Sequence, residues 1–438
     1  MGSLNPMNLL IKNTTIVTVN EHDEVLEHAD LAVSGKTILG VGHIPEGFNP
    51  DRVIDGKDNL VLPGLINTHT HLSMSLMRNY ADDLPFNDWL FEKIKPLEDH
   101  LLAEDVRLGA RLGIAELIRG GTTCFHDMYF HMEEVASEVD ASGIRACLST
   151  ALFDISGNGE VLLAEGCRLH QVWSGALDGR ITVRLGPHSA YLCSSGYLTE
   201  ILTEGRRLNC GLHIHLSETA GEVAESRKLH GCSPVQQLAD LEMFSLPTLA
   251  AHAVHLEGMD FKLLRENKVS VAHNPGSNLK LANGFAPVQK MIEHEINVTL
   301  GTDGAASNNN LNLFEEIHLA ALMQKAVTGA AEVLPAKQVI RMATINGAKA
   351  LNLDQEVGSL ETGKKADLIL IDTQQPHLVP YYDPLALLAY SAQASDVCTV
   401  IVDGKILMEN RQLQTMDHSL LLEQAACQSK DLIRRSQV

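Results

Sequence analysis

Leu60-Val61-Leu62-Pro63-Gly64-Leu65-Ile66-Asn67-Thr68-His69-Thr70-His71 carries an apolar run directly into a pair of histidines. Side chains along a strand alternate between its faces, so His69 and His71 point the same way. At the mouth of a barrel, two such imidazoles could hold one metal ion together. With 20 histidines in 438 residues, one H-x-H arises easily by chance. The pair gains meaning from His213-Ile214-His215-Leu216-Ser217-Glu218, Ala251-His252-Ala253-Val254-His255 and Gly301-Thr302-Asp303-Gly304. Each of these marks a short β-branched or apolar segment running into a polar loop.

The texture around these motifs is alternation. Strand-like ends recur at 122–127, 145–153, 181–188, 211–218, 249–256, 269–274 and 297–303, eight in all with the one at His71. Helix-like segments separate them. Residues 104–118 place Val106, Ala110, Gly113/Ile114 and Leu117 at helical spacing, and 314–325 do the same with Phe314, Ile317, Ala320/Ala321 and Leu322. Eight strands alternating with helices across 63–353 predict an α/β fold, a (β/α)8 TIM-type barrel. The polar motifs fall at strand C-termini, where such barrels place their chemistry.

The flanks read differently. Residues 1–62 are short strands and turns (9–19, 30–33, 37–41 and 51–62), and the same pattern returns in 354–438, at 358–360, 366–371, 397–402 and 405–407. Asp403-Gly404 is a strong hairpin signal between the last two. The two flanks are expected to combine into one small β-sandwich beside the barrel, with a terminal helix over 420–435.

Composition narrows the function. Lys+Arg 34 against Asp+Glu 55 gives a net charge of −21, which argues against nucleic acid or anionic membrane as partner. No apolar stretch approaches the roughly 20 residues of a membrane span. Residues 1–10 lack a basic segment followed by a long apolar core, so no signal peptide is read there. Cys124, Cys147, Cys193 and Cys210 lie in apolar strand contexts and read as buried reduced thiols. These features together predict a cytoplasmic protein.

Strand ends in the order H-x-H, H, H, D resemble the amidohydrolase superfamily of metal-dependent hydrolases. That resemblance assigns His69, His71, His215 and Asp303 as metal ligands; spacing alone could not pair residues so far apart. Members with two metals carry a carbamylated lysine at the end of the fourth strand. Here that strand ends Leu185-Gly186-Pro187-His188, which favours one divalent ion, with zinc the default and iron or manganese the alternatives. The Gly363-Lys364-Lys365-Ala366-Asp367-Leu368 stretch is similar to amidohydrolases of the deaminase type.

The chemistry of the reaction suits the remaining polar residues. Deaminating an aromatic ring requires a proton on ring nitrogen as hydroxide attacks the adjacent carbon, and a carboxyl that is not a ligand can supply it. Glu218, three residues after His215, is the candidate. A bound metal makes hydroxide available near neutral pH. Asp303 would accept the water's proton and later help deliver one to ammonia, and His252 would orient the hydroxide.

The resemblance narrows to the methylthioadenosine/S-adenosylhomocysteine deaminases. It rests on residues 67–77 (NTHTHLSMSLM), Asp88-Trp89-Leu90, Pro96-Leu97-Glu98, Gly186-Pro187-His188-Ser189, His273-Asn274-Pro275, 277–283 (SNLKLAN) and 301–312 (GTDGAASNNNLN). It implies that Glu98 binds the ribose hydroxyls and that His188 contacts the nucleoside. Without it, Glu98 reads as a solvated helix residue. Glu218 and Asp303 would also contact the substrate.

One departure bears on the substrate. Relatives that process S-adenosylhomocysteine place an arginine near the end of the third strand, whereas here that stretch is Leu148-Ser149-Thr150-Ala151-Leu152-Phe153. A free carboxylate would lack its bidentate partner. The expected substrates are therefore methylthioadenosine, adenosine or 5′-deoxyadenosine, ahead of S-adenosylhomocysteine. Deamination or hydrolysis of another nitrogen heterocycle (guanine, a pterin, a triazine) is the alternative on the same fold. A catalytically dead scaffold would be expected to have lost metal ligands. The sequence leaves homo-oligomerisation open.

Overall fold

The computed structural model of the chain describes residues 7–437, so the opening of the 1–10 stretch lies outside the described residues. Eight parallel strands pair in chain order: β1 (Leu65–Thr70), β2 (Thr122–Tyr129), β3 (Arg145–Leu152), β4 (Ile181–Pro187), β5 (Leu212–Leu216), β6 (Thr248–His252), β7 (Ser270–His273) and β8 (Val298–Leu300). Every residue of β1, β2, β3, β5, β6, β7 and β8 is buried, as expected of parallel strands covered on both faces. The predicted helices appear at Ala103–Arg119 and Leu313–Thr328.

The cylinder closes between β8 and β1 chiefly through side chains. Thr68 Oγ1 lies 2.6 Å from Thr299 Oγ1 and donates to the Leu300 carbonyl at 2.8 Å. The Asn67 amide donates to Thr302 Oγ1 at 2.8 Å, and the Asp303 N–H donates to the His69 carbonyl at 3.0 Å. Closure thus brings the H-x-H motif and the aspartate of the eighth strand together at the C-terminal mouth.

The flanks join in a nine-stranded mixed sheet. Its seam is the antiparallel pairing of Leu368–Asp372 with Asn59–Pro63, in register from Leu368 opposite Pro63 to Asp372 opposite Asn59. The sheet curls on itself, so that Gly404 in the Asp403-Gly404 hairpin packs on the Gly35 carbonyl with no room for a Cβ. Leu9, Ile11, Leu31, Leu368, Leu370 and Ile401 fill the core between its faces. Two strand readings change. Residues 51–62 split into Arg52–Asp55 and Asn59–Pro63, because Asp58 turns the chain at φ 63°. Residues 358–360 form no strand: Gly358 takes φ 90° against Ala348, and only the Leu360 N–H bonds the sheet, to Thr18 O at 2.8 Å.

A buried ion cluster fastens the barrel to this sheet. Arg145, at the start of β3, donates to Asp367 at 2.8 and 3.0 Å and to Asp403 at 2.6 Å. All three side chains are buried. Removing the cation would leave two carboxylates without it in a dry interface, so Arg145→Ala is expected to lower stability by about 3–5 kcal/mol. Denaturant unfolding would measure this, and a loss under about 1 kcal/mol would refute the fastening role.

Cys124, Cys147, Cys193 and Cys210 are buried and unpaired, as read from the sequence. Among the described residues, no helix is long and apolar enough to cross a membrane.

Candidate metal centre and active site

The chain leaves several barrel strands in strained conformations, and the polar residues sit there. Ser217 (φ 49°), His252 (φ 75°) and Asp303 (φ 61°) all occupy the left-handed region without being glycine. Such residues cost about 1–3 kcal/mol each and persist only where the surroundings hold them. Close packing supplies part of that hold. A Cβ at Gly301 would lie 2.5 Å from Asn274 Oδ1 and 2.8 Å from the His69 backbone nitrogen, and one at Gly304 would lie 2.6 Å from Met74 Sδ. Glycine on both sides of Asp303 lets its loop press against the H-x-H strand.

His69, His71, His215 and Asp303 converge at the mouth. Asp303 Oδ1 lies 3.3 Å from His69 Nε2 and 3.2 Å from His71 Nε2, and His71 Nε2 is 3.3 Å from His215 Nε2. The outward nitrogens are occupied: His71 Nδ1 on the Met128 carbonyl at 2.6 Å, His215 Nδ1 on the His188 carbonyl at 2.8 Å, and His69 Nδ1 on His213 Nε2 at 2.9 Å. With their N–H groups directed outward, the Nε2 lone pairs face one another across a small space. His69 Nε2 is buried without a hydrogen-bond partner. An orphaned acceptor among converging lone pairs and one carboxylate fits a divalent cation, and partners on the outer nitrogens are the usual way ligand histidines are aimed.

The electrostatics of His69 and His215 agree, while His71, paired with Asp303, favours a proton that a cation bound at the cluster would displace. Burial drives His69 down to about 4, outweighing the pull of the nearby Asp303 carboxylate, and pushes His215 well below its usual range, so both imidazoles are neutral donors. Burial also opposes charge on His71, but hydrogen bonding and attraction to Asp303 lift it to about 9. Burial alone would raise Asp303; its contacts with His69 and His71 hold it well below the usual carboxylate range. Its second oxygen accepts from Ser277 Oγ at 2.6 Å and Ser307 Oγ at 2.8 Å.

Glu218 and His252 stand beside this cluster. His252 Nδ1 is engaged with Asn278 Oδ1 at 2.9 Å, and its Nε2 lies 3.9 Å from Glu218 Oε1. Burial raises the Glu218 carboxyl, favouring its protonated form. His252 also groups with His69 and His215, their ligand atoms within 4.8 Å of one another.

Glu98 and His188 line the same cavity, of about 320 Å³, with His71, His215, Glu218, His252 and Asp303. Glu98 ends the short helix Lys95–Glu98 and is half-buried rather than solvated. Burial raises its carboxyl to about 7 against the pull of the neighbouring Tyr129 hydroxyl. Every predicted site residue except His69 therefore lines one cavity; His69 is fully buried and joins the cluster through Asp303. The remaining wall is mostly apolar, with Phe86, Phe91, Phe130, Phe153 and Ile155, and among the described residues carries Lys95 as its one basic side chain outside the histidines.

Some residues escaped the sequence reading. His213 shares a strand face with His215, a visible signal, yet only its buried contact with His69 shows what it does. Ser277 and Asn278 lie on the short helix Pro275–Lys280 and Ser307 in a turn, and no periodicity announces either.

Comparison with known proteins agrees with this geometry. The amidohydrolase family pattern matches residues 60–407. A 5-methylthioadenosine/S-adenosylhomocysteine deaminase of Thermoanaerobacter pseudethanolicus is 50% identical over 98% of this chain and 100% of its own length. A 5′-deoxyadenosine deaminase of Methanosarcina acetivorans is 46% identical over 98% of this chain and 99% of its own. Among solved structures, an adenosine deaminase from Xanthomonas campestris with bound zinc superposes with a TM-score of 0.93 at 34% identity, covering 98% of this chain and 99% of that one. Half its residues shared end to end with one such relative, and the ligand cluster at the mouth of its barrel, make this chain a member of the amidohydrolase family, in its methylthioadenosine/S-adenosylhomocysteine deaminase branch.

Proposed function

We infer that the chain hydrolyses the 6-amino group of adenine nucleosides, converting nucleoside and water to the inosine analogue and ammonia. The observation that carries this is one cavity holding the histidine–aspartate cluster, the buried carboxyl of Glu218 and the carboxylate of Glu98. His69, His71, His215 and Asp303 would hold one divalent ion, which we take to be zinc, and the ion would supply hydroxide near neutral pH. Glu218, whose carboxyl burial raises toward its protonated form, donates to the ring nitrogen next to the amino-bearing carbon as that carbon is attacked, and regains a proton from the attacking oxygen as the carbonyl forms. Asp303 takes the proton of the attacking water and returns one to the leaving ammonia. His252, fixed by Asn278, orients the attacking oxygen. Glu98 accepts hydrogen bonds from the ribose diol, and His188 contacts the nucleoside.

The 5′ group is read from the wall. Among the described residues no arginine lines the cavity, Phe130, Phe153 and Ile155 forming its wall instead, and the one lysine there, Lys95, sets its ammonium 5.7 Å from the Phe153 ring and 3.3 Å from Asp99. A neutral 5′-substituent suits that surface, so methylthioadenosine, 5′-deoxyadenosine and adenosine rank ahead of S-adenosylhomocysteine.

Ammonia release from zinc-loaded protein tests this across adenosine, methylthioadenosine, 5′-deoxyadenosine, S-adenosylhomocysteine, adenine, guanine and guanosine. Turnover confined to adenine nucleosides is expected; turnover of free bases alone would refute the ligand assignment. Glu98→Gln sharpens the test. Loss of charged hydrogen bonds to the diol, about 1.5–3 kcal/mol, should lower kcat/KM for adenosine about 10- to 100-fold. The same variant should scarcely change turnover of 2′,3′-dideoxyadenosine. An equal loss on both substrates would remove Glu98 from the ribose.

A further inference from the structure

Glu218 is gripped from two sides by residues with no role in the reaction as described. Its main chain is held by Glu222: the Ser217 N–H donates to Glu222 Oε1 at 3.0 Å and the Glu218 N–H to Glu222 Oε2 at 2.7 Å. Glu222 is buried at the start of the helix Ala220–His230, whose cap Thr219 accepts the Glu222 N–H at 3.1 Å. Thr219 and Glu222 have the spacing of a capping box, in which the glutamate ordinarily turns back to the N–H of the cap residue itself. Here it reaches further, to the two peptide N–H groups that precede the cap. One of those belongs to Ser217, held in the left-handed region. The carboxylate therefore fixes a turn that the chain would not otherwise favour, and Glu218 leaves from that turn.

Its side chain is held by Asn283. The Asn283 Nδ2 donates to Glu218 Oε1 at 2.9 Å, and the Asn283 carbonyl accepts from His255 Nε2 at 2.8 Å. Asn283 is buried, so its amide has little freedom to turn away. With Oε1 occupied as an acceptor, the proton of a neutral Glu218 belongs on Oε2.

We propose that Glu222 and Asn283 are the positioning residues of this enzyme: Glu222 sets the backbone from which Glu218 projects, and Asn283 selects which carboxyl oxygen carries the proton. This rests on Glu218 being the proton carrier. A group displaced by about 1 Å can lose on the order of 100-fold in rate. Glu222→Gln keeps one acceptor and sets an NH2 against the other peptide N–H. Asn283→Ala removes the donor from Oε1.

The decisive measurement is a double-mutant cycle on the zinc-loaded enzyme, with kcat, KM and bound metal read for each variant. Each single change should lower kcat about 10- to 100-fold, with KM and metal content near those of the parent. In a Glu218→Gln background, where single turnovers at high enzyme concentration give the rate, neither change should cost anything more. Losses that persist in that background, or single variants with full kcat, would overturn the proposal and leave the two residues as ordinary supports. If Glu222→Gln fails to fold, the Asn283→Ala arm decides alone by the same criterion. A fully active Glu218→Gln would instead overturn the reading of Glu218 itself.

Discussion

Asp303→Ala will purify with little metal and release no measurable ammonia from adenosine, and His215→Ala will do the same. Asp303 would supply the one carboxylate beside the three imidazoles of the proposed ligand set, with Oδ1 3.3 and 3.2 Å from the Nε2 atoms of His69 and His71. Removing it takes away one of four ligands and the only negative charge among them, and leaves Ser277 and Ser307 aimed at nothing. His215→Ala removes a ligand while leaving the proposed proton carriers in place, so its failure isolates the metal requirement. Asp303→Asn separates the two duties of the aspartate: an amide oxygen can still face a cation, but it cannot accept a proton from water. Part of the metal should remain in that variant, and turnover should not. Metal content per chain and ammonia release measure all three. A full equivalent of metal in Asp303→Ala would break the ligand assignment, and His252 would become the replacement, since it already groups with His69 and His215.

Much of this was legible in the sequence because barrels convert one-dimensional pattern into position. Each apolar strand ends at the same rim, so His71, His215, His252 and Asp303 needed only to be placed at strand ends to be placed near one another. The alternation that aligns His69 with His71 works equally for His213 and His215. Polarity at the rim says nothing, however, about which member of a pair faces the metal and which faces the interior. That is why His213 emerged only with the fold, buried behind His69. Glu98 shows the opposite limit. Its short helix carries no strand signal and its charge suggests solvent, so only likeness to the deaminases pointed to it; the fold then half-buries it against Tyr129. The buried Arg145 pairs with Asp367 and Asp403, both more than 200 residues downstream of it, and charged residues ordinarily read as exposed. Long-range pairing of that kind has no local signature.

Glu218→Gln will keep its full complement of metal and lose about 10²- to 10⁴-fold in kcat, the range expected when a general acid is removed. The substitution is nearly isosteric, and Oε1 of the glutamine can still accept from Asn283, so the loop and the metal ligands should stay as they are. What changes is the atom facing the substrate. A neutral carboxyl can give up its proton to ring nitrogen, whereas an amide can donate a hydrogen bond but not transfer the proton. Substrate binding should therefore survive, and KM should move far less than kcat, because the lost interaction is one made as the ring takes up its proton. This pattern separates Glu218 from both of its neighbours: a ligand variant loses the metal, and a Glu98 variant loses affinity for the ribose. Metal retained with activity lost would assign proton transfer to Glu218. Metal lost along with activity would make Glu218 a structural member of the site, and full activity would pass the transfer to Asp303 alone.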